Sequence, residues 1–187
     1  MKYKLTDVKI NFMGKTLFQI EAVKCFGDIV KGQKGGFIEK ESNLSQGGNA
    51  WVYGDAKVSG NAEVYGDAEV YGDAWVSGNA WVRGNAKVSG NAKVYGNAWV
   101  SGNAWVYGDA EVKGNADYLV IGPIGSRNDI TTFFKTANND IKVSCGCFTG
   151  TIEEFLEKVN ETHGNNNYAK EYKTAVEIAK IHIFGGE

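Results

Sequence analysis

The chain has 187 residues, enough for one or two domains with a real core, and its 20 basic and 22 acidic side chains leave a net charge of −2. That balance excludes a broad basic surface for duplex nucleic acid. No apolar run approaches the roughly 18 residues of a membrane span, so no membrane partner is expected.

Residues 1–47 are polar at the start (Met1-Lys2-Tyr3-Lys4), so no secretory leader is expected. Asp7–Phe12 and Thr16–Val23 alternate in polarity around Met13-Gly14-Lys15, which predicts a β-hairpin. Gly32-Gln33-Lys34-Gly35-Gly36 reads as a loop and Phe37-Ile38-Glu39 as a short strand. This segment is expected to be an N-terminal β cap, because a solenoid needs its open end covered.

Residues 48–116 carry the repeat. From Gly48 to Lys113 the chain reads as eleven hexapeptides of the form Gly-Asn/Asp-Ala-x-Val-x, without a slip. Ala and Val lie two apart, so both face one side of a short extended segment and the intervening residue faces out. Gly followed by Asn or Asp permits a positive φ, and the chain bends every sixth residue. Three strands and three bends close a coil of 18 residues, and coils stack about 4.8 Å apart with Val on Val and Ala on Ala. The tract is long enough for about four coils of a parallel β-helix.

Every third hexapeptide returns to the same face. All five tryptophans occupy outward positions on this scheme. On the third face, which the scheme continues to Asp117 and Leu119, Trp81 falls over Trp99, with Arg83 and Tyr65 beside them. So much exposed aromatic surface predicts a subunit interface at Tyr65, Trp81, Arg83 and Trp99, and a homotrimer that buries one such column per subunit. Two other readings stay open: a ring ladder that stabilises the coil itself, or a ligand wall.

Residues 117–187 lose the repeat and read as a small α+β domain. Tyr118–Ile121 is a strand, and Thr131–Phe134 and Ile141–Cys145 form a second hairpin. Thr151-Ile152-Glu153-Glu154 is a capping box that opens a helix with Ile152, Phe155, Leu156 and Val159 on one face. His163-Gly164 ends that helix, and Tyr168, Tyr172, Ala175, Ile178, Ala179 and Ile181 mark another. The loop between the first two strands, Gly122–Asp129, is the candidate ligand site. Its glycines free backbone N–H groups, and Arg127 supplies a fork suited to phosphate or carboxylate. The expected ligand-binding residues are Gly125, Ser126, Arg127, Asn128 and Thr131. The alternative is an ordinary turn with Arg127 paired to Asp129 or a neighbour.

Three cysteines, Cys25, Cys145 and Cys147, make a disulfide framework improbable and point to a reducing cytoplasm. Cys145 and Cys147 read as buried structural residues. The only histidines are His163 and His182, so no metal site and no cofactor are expected. No histidine lies in the coils to serve there as a general base, so the reading leans away from an enzyme.

The spacing Val52…Ala56, Val58…Ala62 and Val64…Ala68 resembles the left-handed β-helix family, which implies a mainly β fold: a left-handed parallel β-helix with an N-terminal β-hairpin cap and a C-terminal α+β domain. That family includes acyltransferases, carbonic-anhydrase-like enzymes and non-catalytic members. The layout is also similar to hexapeptide-repeat proteins of phage and prophage genomes, through Phe37–Ser45, the repeat tract, Ile121–Arg127 and Cys145-Gly-Cys147-Phe148. This resemblance implies a non-enzymatic oligomer that captures a small anionic or nucleotide-like ligand in a host cytoplasm. The other readings are an acyltransferase of the hexapeptide-repeat family and a purely structural or protein-binding module.

Overall fold

The computed structural model describes residues 1–185; the last two residues of the expected C-terminal domain lie outside the described residues. The N-terminal strands are β1 (Tyr3–Phe12), β2 (Lys15–Ala22) and β3 (Lys34–Ile38). Eleven two-residue strands follow, from β4 (Trp51–Val52) to β14 (Glu111–Val112). The chain then forms β15 (Tyr118–Ile124), β16 (Asp129–Lys135), β17 (Ile141–Cys145) and β18 (Phe148–Thr151), and closes with helices α1 (Ile152–His163) and α2 (Asn167–Phe184).

The repeat tract folds as a parallel β-solenoid. Each strand from β4 to β11 pairs with the one 18 residues on, as in Val64↔Val82 and Val82↔Val100. Ladder bonds run from one coil to the next, as from the Trp81 N–H to the Ala98 carbonyl at 2.9 Å. Inside, every Val from Val52 to Val112 is fully buried, and each is worth about 1.5–3 kcal/mol. The corner glycines from Gly48 to Gly108 all have positive φ, between 53° and 75°. At Gly78 the reason is double: φ is 68°, and a Cβ would lie 2.9 Å from the Gly96 nitrogen in the next coil. One corner carries an amide ladder in which Asn61 donates to Asn79 at 3.3 Å and Asn79 to Asn97 at 3.2 Å.

The N-terminal segment extends the solenoid as well as covering it. Phe37 and Ile38 pair in parallel with Lys57 and Val58, and Leu44 bridges Val64. Ile38 and Leu44 thus take the places of a valine one coil earlier. Lys34-Gly35-Gly36 is strand, not loop: a Cβ on Gly35 would lie 2.6 Å from both Ile20 Cγ1 and the Val52 carbonyl oxygen. These glycines serve close packing, not a turn. Trp51 does not face solvent. It is fully buried beneath Tyr3 and Phe26, with ring centroids at 6.2 and 5.4 Å. Lys2, 1% exposed, closes the mouth of the solenoid by donating to the carbonyls of Ala50 (2.7 Å), Gly47 (3.2 Å) and Gly48 (3.3 Å). Burial pulls the pKa of this ammonium down to about 8, with Asp67 acting the other way.

At the other end, β15 to β18 form an antiparallel sheet in chain order. Successive side chains of β16 face opposite sides. Phe134 is buried in the solenoid core, while Phe133 is buried against α1 and α2. Thr132 likewise accepts from the Trp105 N–H at 3.2 Å, on the solenoid side. Lys142 of β17 adds an ion pair to Asp109 at 2.7 Å. Thr151 caps α1, as its spacing predicts: its hydroxyl accepts from the Glu154 N–H and the Glu154 carboxylate accepts from the Thr151 N–H. The buried stripe of α2 runs through Tyr172, Val176, Ala179 and Ile183, while Ile178 and Ile181 are exposed.

Candidate functional site

Two surfaces carry the residues singled out by the sequence. On the third solenoid face, Trp81 and Trp99 stack with ring centroids 4.7 Å apart and planes 8° from parallel. The Arg83 guanidinium lies 5.3 Å from the Trp99 ring centre, and Tyr65 meets Trp81 edge-on at 6.2 Å. Stacked rings and a cation over a ring each contribute about 0.5–1.5 kcal/mol here. Trp99 remains 41% exposed despite these neighbours. The face does not continue to Asp117 and Leu119. The chain leaves the coil at Asn115–Asp117, where the Asn115 side chain accepts the Trp99 N–H at 2.9 Å. A hollow follows, lined by Trp99, Ser101, Asn115, Tyr118, Leu119 and His182. His182 Nε2 is 3.1 Å from the Asn115 carbonyl oxygen. The other tryptophans differ. Trp75 is half-buried, its indole N–H on the Ser59 hydroxyl and its ring against Phe12, and Trp105 sits beside the C-terminal sheet.

The second surface is the tip of the C-terminal domain. Strand β15 runs through Ile124, with Gly122-Pro123 in an irregular stretch, so the loop is only the turn Gly125-Ser126-Arg127-Asn128. Gly125 has φ 69° and packs against Tyr172 so closely that a Cβ would lie 1.9 Å from the hydroxyl. Its N–H donates to the Glu171 carboxylate at 2.7 Å. The backbone donor expected to meet an outside anion therefore already holds an internal one. The Asn128 N–H is also used, on the Gly125 carbonyl at 3.0 Å. Thr131 is fully buried, not at the surface, because alternation along β16 turns it inward with Phe133; its hydroxyl donates to the Cys145 sulfur at 3.3 Å.

What remains open at the tip are side chains. Ser126 and Arg127 are exposed. Among the described residues Arg127 makes no ion pair within 4.0 Å, so pairing with Asp129 does not account for it. Its guanidinium lies over Gly146, where a Cβ would come 3.0 Å from Cζ. The Ser126 hydroxyl is 3.4 Å from His163 Nε2. The His163 ring stacks on Tyr172 at 5.9 Å and meets Tyr168 at 5.8 Å. Burial pushes the Tyr172 phenol up to about 12, and Cys145 adds to this while Arg127 opposes it. Sequence reasoning missed His163, Glu171 and Tyr172, which lie 37 to 47 residues from the turn and carry no local signal of it.

Cys145 is half-buried and Cys147 exposed, so neither is the buried structural residue the sequence suggested.

The family described as YdcK Beta solenoid repeat matches residues 86–102 and 92–108, both windows within the solenoid. Together with the coil stacking, this defines the chain as a β-helix protein. No curated protein sequence matches the chain. No helix among the described residues is long and apolar enough to cross a membrane.

Proposed function

We propose that the protein is a non-enzymatic homotrimeric binding protein. Its third solenoid face joins the subunits, and its C-terminal tip captures a small anionic ligand of phosphorylated or nucleotide-like kind. The observation that carries the ligand reading is Arg127: an exposed guanidinium with no ion-pair partner among the described residues, one residue along from Ser126, whose hydroxyl approaches His163. A guanidinium in this setting is suited to a phosphate oxygen pair. The occupied Gly125 N–H moves the expected contacts from backbone to side chains: Ser126, Arg127 and His163, with Asn128 at the rim. The resemblance to phage and prophage proteins supports reading this capture as sequestration of nucleotide immune signals in a host cytoplasm.

Support for the trimer comes from the Trp81–Trp99 stack, which leaves Trp99 41% exposed under Arg83. Light scattering of the wild type is expected to give three times the chain mass, and Trp81→Lys with Trp99→Lys the single mass with β-type circular dichroism retained. A wild-type monomer at micromolar concentration contradicts the trimer. Mass spectrometry of natively purified protein tests the ligand reading: a bound phosphorylated small molecule is expected. Acyl transfer is the second reading, favoured only by the Ser126–His163 approach; turnover of an acyl-coenzyme A donor that His163→Ala abolishes would put it first.

A further inference from the structure

We infer that Cys145-Gly146-Cys147 is a redox-active dithiol that reacts with an anionic low-molecular-weight disulfide. Three observations on different residues converge. First, the two cysteines meet at a two-residue turn, Gly146-Cys147: Cys145 ends β17 just before it, Phe148 begins β18, and Cys145 and Phe148 are cross-strand partners. Gly146, with φ 61°, supplies the left-handed residue that lets the strand reverse. Residues two apart have Cα atoms at most about 7 Å apart, and a tight turn brings them nearer, into the roughly 4.4–6.8 Å that a disulfide spans.

Second, the two thiols are graded in access. Cys147 is exposed and open to an external disulfide, whereas Cys145 is half-buried. The Thr131 hydroxyl donates to the Cys145 sulfur at 3.3 Å, which holds it at the base of the turn. That is the arrangement of an attacking and a resolving cysteine. Third, the Arg127 guanidinium lies over the intervening glycine, within 3.0 Å of the Cβ position at Gly146. A full positive charge over the turn that carries Cys147 draws in a reagent that carries carboxylates, such as glutathione disulfide.

The step balances as thiol–disulfide exchange. The Cys147 thiolate attacks one sulfur of the external disulfide; that S–S bond breaks and the first small thiol leaves, taking up a proton. The Cys145 thiolate then attacks the Cys147 sulfur and releases the second small thiol. The protein loses two protons and two electrons, and the external disulfide takes them up to become two thiols. Oxidation draws the Cys145 sulfur away from Thr131 and from Tyr172, whose hydroxyl it approaches at 4.0 Å. The redox state of the turn is thereby felt at the tip. The inference does not depend on ligand capture there.

The test uses the full chain carrying Cys25→Ser, which removes the third thiol. Reduced protein is incubated with excess glutathione disulfide, quenched in acid, and weighed before and after alkylation. The expected product is lighter by two hydrogens and takes up no alkylating reagent. Adding Cys145→Ser is expected to trap a stable glutathione adduct on Cys147. Arg127→Gln is expected to slow the reaction about three- to tenfold with glutathione disulfide at low salt, but not with the cationic disulfide cystamine. Two thiols that remain alkylatable, a persistent glutathione adduct without Cys145→Ser, or a disulfide-linked dimer each overturns the proposal. Equal rates for Arg127→Gln and its parent overturn the charge attraction.

Discussion

In the solenoid, each valine from Val52 to Val112 is buried against the same kind of neighbour one coil away. In the C-terminal domain, one side chain such as Tyr172 meets Gly125, Cys145, Phe155 and His163, drawn from the β15–β16 turn, β17 and α1. The first arrangement spreads stability over equivalent rungs, so that each contributes a similar and replaceable share. The second concentrates it in contacts that occur once. The difference explains where function can sit. A repeated surface offers many copies of one chemistry and suits self-association, while a surface assembled from distant segments can hold dissimilar groups, as at Ser126, Arg127 and His163.

Strand β16 joins the two regimes, and removing its ring breaks the comparison most severely. Phe134→Ala is expected to cost about 3–5 kcal/mol, because the ring is fully buried among solenoid residues. It should also uncouple the regions, giving separate denaturant transitions for tryptophan fluorescence and helical circular dichroism. Val82→Ala, inside the solenoid, is expected to cost about 2 kcal/mol and leave one transition. A single transition in Phe134→Ala would mean that the regions are tied elsewhere, for example through the Lys142–Asp109 pair.

Glycines sharpen the contrast. Gly125→Ala forces a Cβ into Tyr172 at a φ of 69°, for an expected loss of about 3 kcal/mol. Gly54 has a φ of 53° but nothing within 4 Å of its Cβ position, so Gly54→Ala should cost about 1 kcal/mol. Thermal denaturation of both variants checks the order; equal losses would show that Tyr172 yields freely.

Lys2 gives a pH-dependent difference at the solenoid mouth. Its folded pKa of about 8 lies below the unfolded value of about 10.4, so the unfolded chain binds more protons between those limits. Its contribution is therefore fully present above about pH 10.4 and is lost as pH falls through about 8. The stability of wild type relative to Lys2→Met should rise by about 2 kcal/mol from pH 8 to pH 10, measured by urea unfolding. A flat difference would mean that the three carbonyls compensate fully for burial.

The same contrast governs what could be read from the sequence. The solenoid was legible because one six-residue pattern recurs eleven times, and its strand pairings follow from counting by 18. Trp51 obeys that pattern and is nevertheless buried, because what covers it, Tyr3 and Phe26, lies in a segment without a period. Ile38 and Leu44 escaped notice as rungs because they stand 20 residues, not 18, before Val58 and Val64. At the tip, the turn was visible from its glycine and asparagine, but its partners were not. Glu171 lies 46 residues from Gly125, and nothing in either neighbourhood announces the other. Thr131 was readable: it shares a side with Phe133, and period-two alternation turns it into the core.

The most direct test is calorimetric titration of a panel of nucleotides, cyclic nucleotides and inorganic phosphate into wild type and Arg127→Ala. Wild type is expected to bind a phosphorylated member of the panel. Arg127→Ala should weaken that binding about 10- to 150-fold, as expected for the loss of a charge-assisted contact of roughly 1.5–3 kcal/mol. Arg127→Lys should recover part of it, since a point charge cannot make paired contacts. Equal affinities for wild type and Arg127→Ala would contradict the tip as the site, and absence of binding by wild type would leave the solenoid as a structural module.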